Sequence, residues 1–298
     1  MKKLTTFLFI FVFAGSMAFA QNSAETEQIG DENEATVTQV GNNNATVYQG
    51  TQEYASSPAA VAEENKASVT QDGAFDAFIV QGDAGTAINS TSSIDQSGTS
   101  GYAAILQGVY NGGTATSANA SVEQKESGNT AQIRQGLGGT TEGGSASMTQ
   151  SGSGNTGIIY QGVQAQSSSL DNTATLTQSG SNNSSTTILQ GSMLSLAGPG
   201  SGAGTAEGNT GTIIQNGSSN GTNGDGVRIN QGINGGSSFN NTGYILQDGD
   251  LNNAIVNQGV GNNMLSENSD ASIYQYSDNN VASVDQIGIN NSATITQN

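Results

Sequence analysis

The sequence predicts an all-β fold: a β-solenoid with two strands per coil, about ten rungs high, its coils stacked as cross-β. Three observations lead there. One phrase, N-x-A-x-Φ-x-Q with Φ an aliphatic residue, recurs about twenty times along the 298-residue chain. Its marked residues fall at every second position, the period of a strand, and no helical period competes. Between copies lie pieces such as GNNN (41–44), SGSGN (151–155) and GSNN (180–183), where Gly and Asn supply positive φ cheaply.

Taken in order, clear copies are NEATVTQ (33–39), NNATVYQ (43–49), NKASVTQ (65–71), NTAQIRQ (129–135), NTGIIYQ (155–161), NTATLTQ (172–178), NNAIVNQ (252–258) and NSATITQ (291–297). Looser copies end at Gln81, Gln96, Gln107, Gln124, Gln150, Gln190, Gln215, Gln231, Gln247, Gln275 and Gln286, and a partial one ends at Gln28. Each reads as a strand of about six residues ended by a turn of about five, and two such units close a coil. At about 4.8 Å per rung the rod is roughly 50 Å long. Between Gln190 and Gln215 the chosen alternation asks for a strand without its glutamine, and residues 192–196 (SMLSL) are assigned to it, followed by a Gly/Pro-rich loop at 198–204. Longer loops interrupt at 50–64, 83–91, 108–117, 136–144, 162–171 and 232–240.

The inward positions suit two strands that approach closely. Ala35, Ala45, Ala67, Ala77, Ala103 and Ala131 are small, whereas Val37, Val47, Val69, Ile79, Ile105 and Ile133 are branched. Each fully buried Val or Ile contributes about 1.5–3 kcal/mol. With 33% hydrophobic residues and 42 glycines, such a core is thin against the cost of ordering the chain. A polar core ladder is therefore expected of Gln39, Gln49, Gln71, Gln81, Gln107, Gln135, Gln161, Gln178, Gln258, Gln286 and Gln297, with Asn33, Asn43, Asn129 and Asn155. Each side-chain amide would donate to the carbonyl of its neighbour along the axis, satisfying groups that are costly to bury alone.

Residues one and three places before each Gln point outward. On one face they are Thr36/Thr38, Ser68/Thr70, Ser93/Asp95, Ser121/Glu123, Ser147/Thr149, Thr175/Thr177 and Ser283/Asp285, a polar set. The other carries an apolar outer face: Tyr48, Phe78, Val80, Leu106, Ile158, Tyr160, Leu189, Ile214, Tyr244, Leu246 and Tyr274. A ladder of this kind would pair rods laterally or grip a surface.

Residues 1–20 read as a secretory signal, with Lys2 and Lys3, an apolar run from Leu4 to Ala14 and the small-x-small site Ala18-Phe19-Ala20. A short segment follows at 21–27, and the repeat solenoid occupies 28–298. Six basic residues face 24 acidic ones, a formal net charge of −18. Loss of the signal leaves 4 − 24 = −20, which excludes nucleic acid as a partner, and no further stretch suits insertion into a membrane. Without Cys or His the chain has no disulfide, no thiolate or imidazole metal site and no ordinary catalytic triad, and no cofactor is expected.

These phrases resemble the curlin repeat, S-x5-Q-x-G-x-x-N-x-A-x3-Q, which residues 33–49 (NEATVTQVGNNNATVYQ) and 280–297 (NVASVDQIGINNSATITQ) follow well apart from the leading Ser. The resemblance implies a secreted, non-enzymatic subunit of curli fibres: a functional amyloid that polymerises with itself outside the cell, with a nucleator subunit and an outer-membrane secretion pore as partners and a role in biofilm matrix and adhesion. A minor nucleator or adhesin of such a fibre is the alternative. Here the solenoid is about twice the usual five-repeat length and has little room for an N-terminal export segment. The last phrase, SATITQ, presents a strand edge that invites the next chain. Acids such as Asp31, Glu32, Asp72, Asp83, Asp248 and Asp250 sit in turns, where they solvate the chain before assembly.

Three rival readings use the outward residues. Asp95 and Glu123 occupy equivalent positions on successive coils, about 5 Å apart, a spacing glycosidases use, but neither a cleft nor a basic partner is evident in the pattern. An ice-binding face is suggested by T-x-T at 36–38 and 175–177, and interrupted by Asp95, Glu123 and Asp285. GTNGDGVRI (221–229) is a single degenerate copy of a calcium-binding repeat that works only in tandem.

Overall fold

The computed structural model describes residues 21–50, 60–110, 112–192, 204–222 and 226–298; residues 1–20, expected to be a signal, and 193–203, which include most of the strand expected at 192–196, lie outside them. Three parallel sheets wind around one axis. A front sheet of ten strands starts at Ser23–Gln28 and Asn44–Gln49 and ends at Val281–Gln286. A back sheet, also of ten, starts at Glu34–Gly41 and ends at Ser292–Gln297. A side sheet of nine short strands runs from Val61–Glu63 to Gly288–Ile289. The fold is thus an all-β solenoid, with every strand pair in parallel register, as in Ala131↔Ala103, Ile133↔Ile105 and Gln135↔Gln107.

The expected two-strand coil is corrected by the side sheet. Segments read as loops at 83–91, 108–117, 136–144, 162–171 and 232–240 contain Thr86–Ile88, Thr114–Thr116, Thr140–Glu142, Ser168–Leu170 and Ser237–Phe239. Each of these has one inward residue (Ala87, Ala115, Thr141, Ser169, Ser238), all fully buried, and one residue cannot display a period of two. Eight coils carry a full three-residue side strand, so eight three-sided turns stand between shorter ends, in place of about ten two-stranded rungs.

A two-residue signal marks the third side. Eight front-sheet strands end in Gln-Gly, at 49–50, 81–82, 107–108, 135–136, 161–162, 190–191, 231–232 and 258–259, and each leads into a three-residue side strand. The first and last front strands end in Gln28-Ile29 and Gln286-Ile287 instead. The glycine is required: Gly136 has φ +64°, and a Cβ on it would lie 1.9 Å from the Thr114 carbonyl oxygen of the preceding side strand. Only a residue without Cβ lets the chain turn this closely against the coil below.

Alanine, valine, isoleucine and leucine from the facing long sheets fill the core; Val47, Ile79, Ile133, Ile159, Leu176 and Ile245 are fully buried. Where Gly157 replaces the usual Ala, Leu176 and Met148 from the back sheet occupy the space a Cβ would take. Overfilling such a gap would strain neighbours rather than add stability.

The second correction concerns phase. Thr186–Gln190 lies in the front sheet, and the next long strand, Thr210–Gln215, pairs in the back sheet with Thr173–Gln178 and Thr242–Gln247. Front-to-back alternation therefore runs directly from Thr186–Gln190 to Thr210–Gln215, and the coil from Gln190 to Gln231 is long, at 41 residues. Every assignment made downstream of that point moves to the opposite face.

Candidate functional site

Two continuous glutamine ladders run the length of the rod. In the front sheet Gln28 Nε2 donates to Gln49 Oε1 at 2.6 Å, and the chain continues through Gln81, Gln107, Gln135, Gln161, Gln190, Gln231, Gln258 and Gln286 at 2.8–2.9 Å. In the back sheet Gln39 donates to Gln71, then Gln96, Gln124, Gln150, Gln178, Gln215, Gln247, Gln275 and Gln297, at 2.7–3.0 Å. All amides point the same way, the nitrogen toward the following coil. Second hydrogens find the opposite sheet's turn: Gln135 Nε2 also reaches Asn119 O at 3.1 Å and Gly144 O at 3.2 Å. The ladder thus joins the two long sheets as well as successive coils.

The asparagines act differently from the expected amide-to-amide stack. Asn129 Oδ1 accepts the backbone N–H of Asn155 at 2.9 Å, Asn155 Oδ1 that of Asn183 at 3.0 Å, and Asn220 and Asn252 continue to Asn280, with 2.7 Å in the last step. Asn43 Oδ1 likewise accepts from Phe75 N at 3.0 Å. Their Nδ2 groups donate to corner carbonyls, as Asn129 does to Lys125 O at 2.6 Å and Asn43 to Val40 O at 2.7 Å. A second corner is built by Asn33, Asn65, Asn172, Asn209 and Asn241. Asn is one methylene shorter than Gln and sits where the backbone turns, so backbone groups are nearer than the next amide. Asn65, Asn172, Asn183, Asn209, Asn220, Asn241 and Asn252 were not among the expected core ladder; for all but Asn183 and Asn220 the six-residue spacing to the ladder glutamine was the available signal.

The single apolar outer face resolves into two. Tyr48, Phe78, Val80, Leu106, Ile158, Tyr160 and Leu189 project from the front sheet, whereas Ile214, Tyr244, Leu246 and Tyr274 project from the back sheet, because the phase shifts at 190–215. Ser283 and Asp285 correspondingly lie on the front sheet. The front group is not an open face. Val80 is 0% and Leu189 2% exposed, and Tyr48, Val80, Phe78, Leu106 and Tyr160 pack with Val109, Leu137 and Val163, the residues that follow Gln-Gly, as a second cluster. The back group stays half open. Tyr244 and Tyr274 stand 5.5 Å apart, Tyr274 stacks on Tyr276 at 6.4 Å, and Tyr276 is exposed. Partial burial, with Tyr274 beside it, raises the Tyr244 hydroxyl above the ordinary tyrosine pKa.

Asp95 and Glu123 are register neighbours, and Glu123 is engaged by Lys125 at 2.7 Å on an exposed surface. Among the described residues no group of three or more acidic, His or Cys side chains could hold a metal, and no helix is long and apolar enough to cross a membrane.

The first and last coils correspond residue for residue. NSAETEQIGDENEATVTQ (22–39) and NVASVDQIGINNSATITQ (280–297) are each eighteen residues long and share Asn, Ala, Gln-Ile-Gly, Asn, Ala-Thr and Thr-Gln at the same places. A family model described as curlin associated repeat matches residues 21–49 and 267–298, the two ends of the rod. Both ends of the rod thus carry curlin repeats. No curated protein gives a match along the chain. Curlin repeats on an all-β solenoid support a structural, fibre-forming role.

The curlin-matched ends are where the rod remains unsatisfied. Ala35 and Val37 on one end strand and Ala293 and Ile295 on the other pack against the core yet stay only partly buried. Among the described residues, Gln28 and Gln39 accept no bond from a coil below, while Gln286 and Gln297 have no glutamine above them. Their nitrogens turn back to Asp270 O and Val281 O.

Proposed function

We propose that this chain is a secreted subunit that stacks head to tail on copies of itself, forming an extracellular, curli-like amyloid fibre used in biofilm matrix and adhesion. The observation that carries the reading is the correspondence of the two end coils. Laying Asn22–Gln39 of one copy on Asn280–Gln297 of the next sets Gln28 on Gln286, Gln39 on Gln297, Asn33 on Asn291, Ala35 on Ala293 and Val37 on Ile295. Both glutamine ladders then continue with the same amide direction, and a partly buried edge at each end becomes buried. Parallel strands joined this way keep one polarity, so the contact is heterologous and open, the geometry of a filament.

Residues 1–20 would direct export, with an outer-membrane pore and a nucleating subunit as the partners the curlin repeats point to. The test is to prepare the chain from Gln21 onward and follow dye-binding fibres, a reflection near 4.7 Å along the fibre axis, and seeding by preformed fibres. Seeded, concentration-dependent growth is the expected result. A chain that remains monomeric at high concentration with seed present would overturn the reading.

A further inference from the structure

The joint so defined contains one mismatch. Of the eighteen facing pairs, only Glu27 on Asp285 sets an acid against an acid. The neighbouring acids Glu25, Asp31, Glu32 and Glu34 meet Ser283, Ile289, Asn290 and Ser292. Glu27 and Asp285 are both exposed and both project outward from the front sheet. Asp285 ends a polar ladder on that surface: Asn230 Nδ2 donates to Asn257 Oδ1 at 2.8 Å, and Asn257 Nδ2 donates to Asp285 Oδ1. Around Glu27 its own sheet supplies Thr46 and Tyr48 from the next strand and Glu25 from the same one. No cation is at hand: Lys66 is near Glu34 on the back sheet, Lys125 pairs with Glu123, Arg134 lies over Tyr160, and Arg228 is on Val227–Gln231, beside Thr187 and Ile255.

We infer that the Glu27–Asp285 pair is a proton-operated gate on subunit joining. The inference rests on the head-to-tail reading above and adds its regulation. Neighbouring strands in a sheet are about 4.8 Å apart, so joining two ionised ends forces two carboxylates together on a face without a counter-charge. A proton on either one turns the repulsion into a carboxyl–carboxylate hydrogen bond that extends the Asn230–Asn257–Asp285 ladder into the next copy. Joining therefore takes up a proton, and by linkage it is favoured as the pH falls from neutral toward the carboxylate range. At neutral pH the pair slows joining, which keeps free subunits apart until they meet an acidic or otherwise screened surrounding.

The experiment is seeded elongation of the chain from Gln21 onward, each variant grown on its own seeds, between pH 7.5 and pH 4 at fixed ionic strength. Wild type is expected to elongate about tenfold faster at the acid end, a factor that corresponds to roughly 1.4 kcal/mol. Glu27→Gln and Asp285→Asn should each elongate at pH 7.5 near the wild-type acid rate, with a flattened profile, and the double variant should gain little more. Glu32→Gln, one charge fewer on the same coil but facing Asn290, should keep the wild-type profile. A steep profile retained in both Glu27→Gln and Asp285→Asn, or equal flattening by Glu32→Gln, would overturn the gate while leaving head-to-tail growth standing. Absence of seeded growth at every pH in every variant would instead remove the head-to-tail reading and the gate with it.

Discussion

The end coils and the middle coils solve different problems with the same phrase. Successive front-sheet glutamines are 21 residues apart at the first step, and back-sheet glutamines 22 at the last. Between them the spacing varies from 25 to 41 residues. The extra residues build the third side and carry Val109, Leu137 and Val163 onto the second cluster. A middle coil touches only its own neighbours, so its side strand and loops can change length as long as the ladder register holds. An end coil in the proposed fibre must fit another copy, and the two ends keep one eighteen-residue cross-section. The curlin family model matches where that cross-section is kept, at 21–49 and 267–298.

If this contrast is right, one substitution should do different damage in the two regions. Gln135→Leu, in mid-rod, orphans the buried Gln107 amide hydrogen and the Gln161 carbonyl oxygen. At about 1–3 kcal/mol for each unsatisfied group, it should lower monomer stability by roughly 2–6 kcal/mol in denaturant unfolding. Ile133→Ala, in the adjoining core, should cost about 2–5 kcal/mol in the same assay. Gly136→Ala sharpens the role of the third side: a left-handed residue gains a Cβ against the Thr114 carbonyl, so a loss of at least about 2 kcal/mol is expected.

Gln297→Leu tests the end. It takes the acceptor from one buried group, the Gln275 amide at 2.9 Å, so it should cost the monomer about 1–3 kcal/mol, less than Gln135→Leu, and it opposes an apolar side chain to Gln39 of the next copy. Elongation should slow by about tenfold or more, corresponding to one unpaired amide at the joint. Equal stability losses from Gln135→Leu and Gln297→Leu would erase the distinction between middle and end. The smallest effect is alkaline. Burial raises Tyr102, with Arg134 opposing, and raises Tyr244, so both hold their protons longer when folded than when unfolded. Their contribution is intact below the ordinary tyrosine range and fades as the pH climbs through it toward the raised values. Ultraviolet titration of tyrosinate, native against denatured, should show the delayed fraction.

Much of the fold is legible in the residues. N-x-A-x-Φ-x-Q states strand, inward face and glutamine ladder together, because four marked positions at a period of two leave one orientation. The side strands are not legible that way: Ala87 or Ser169 alone gives no period, and only the Gln-Gly pair, which needs the Thr114-type contact to be understood, betrays the turn toward them. The asparagine corners were half legible. Their spacing is visible, but their preference for backbone over side-chain partners follows from where the chain bends. The outer faces were least legible, since one miscounted strand between Gln190 and Gln215 moved Ile214, Tyr244, Leu246 and Tyr274 to the wrong sheet.

Sequence by itself determined that this chain is a solenoid with polar ladders, an acidic surface and two matching end phrases, because those are properties of periodicity and composition. Tertiary structure decided that the coil has three sides, that Val80 and Leu189 are covered rather than displayed, and that Glu27 and Asp285 both lie exposed on the end strands of the front sheet. Those depend on which strand lies on which sheet, and a local repeat cannot carry that information when the coils between its copies differ in length.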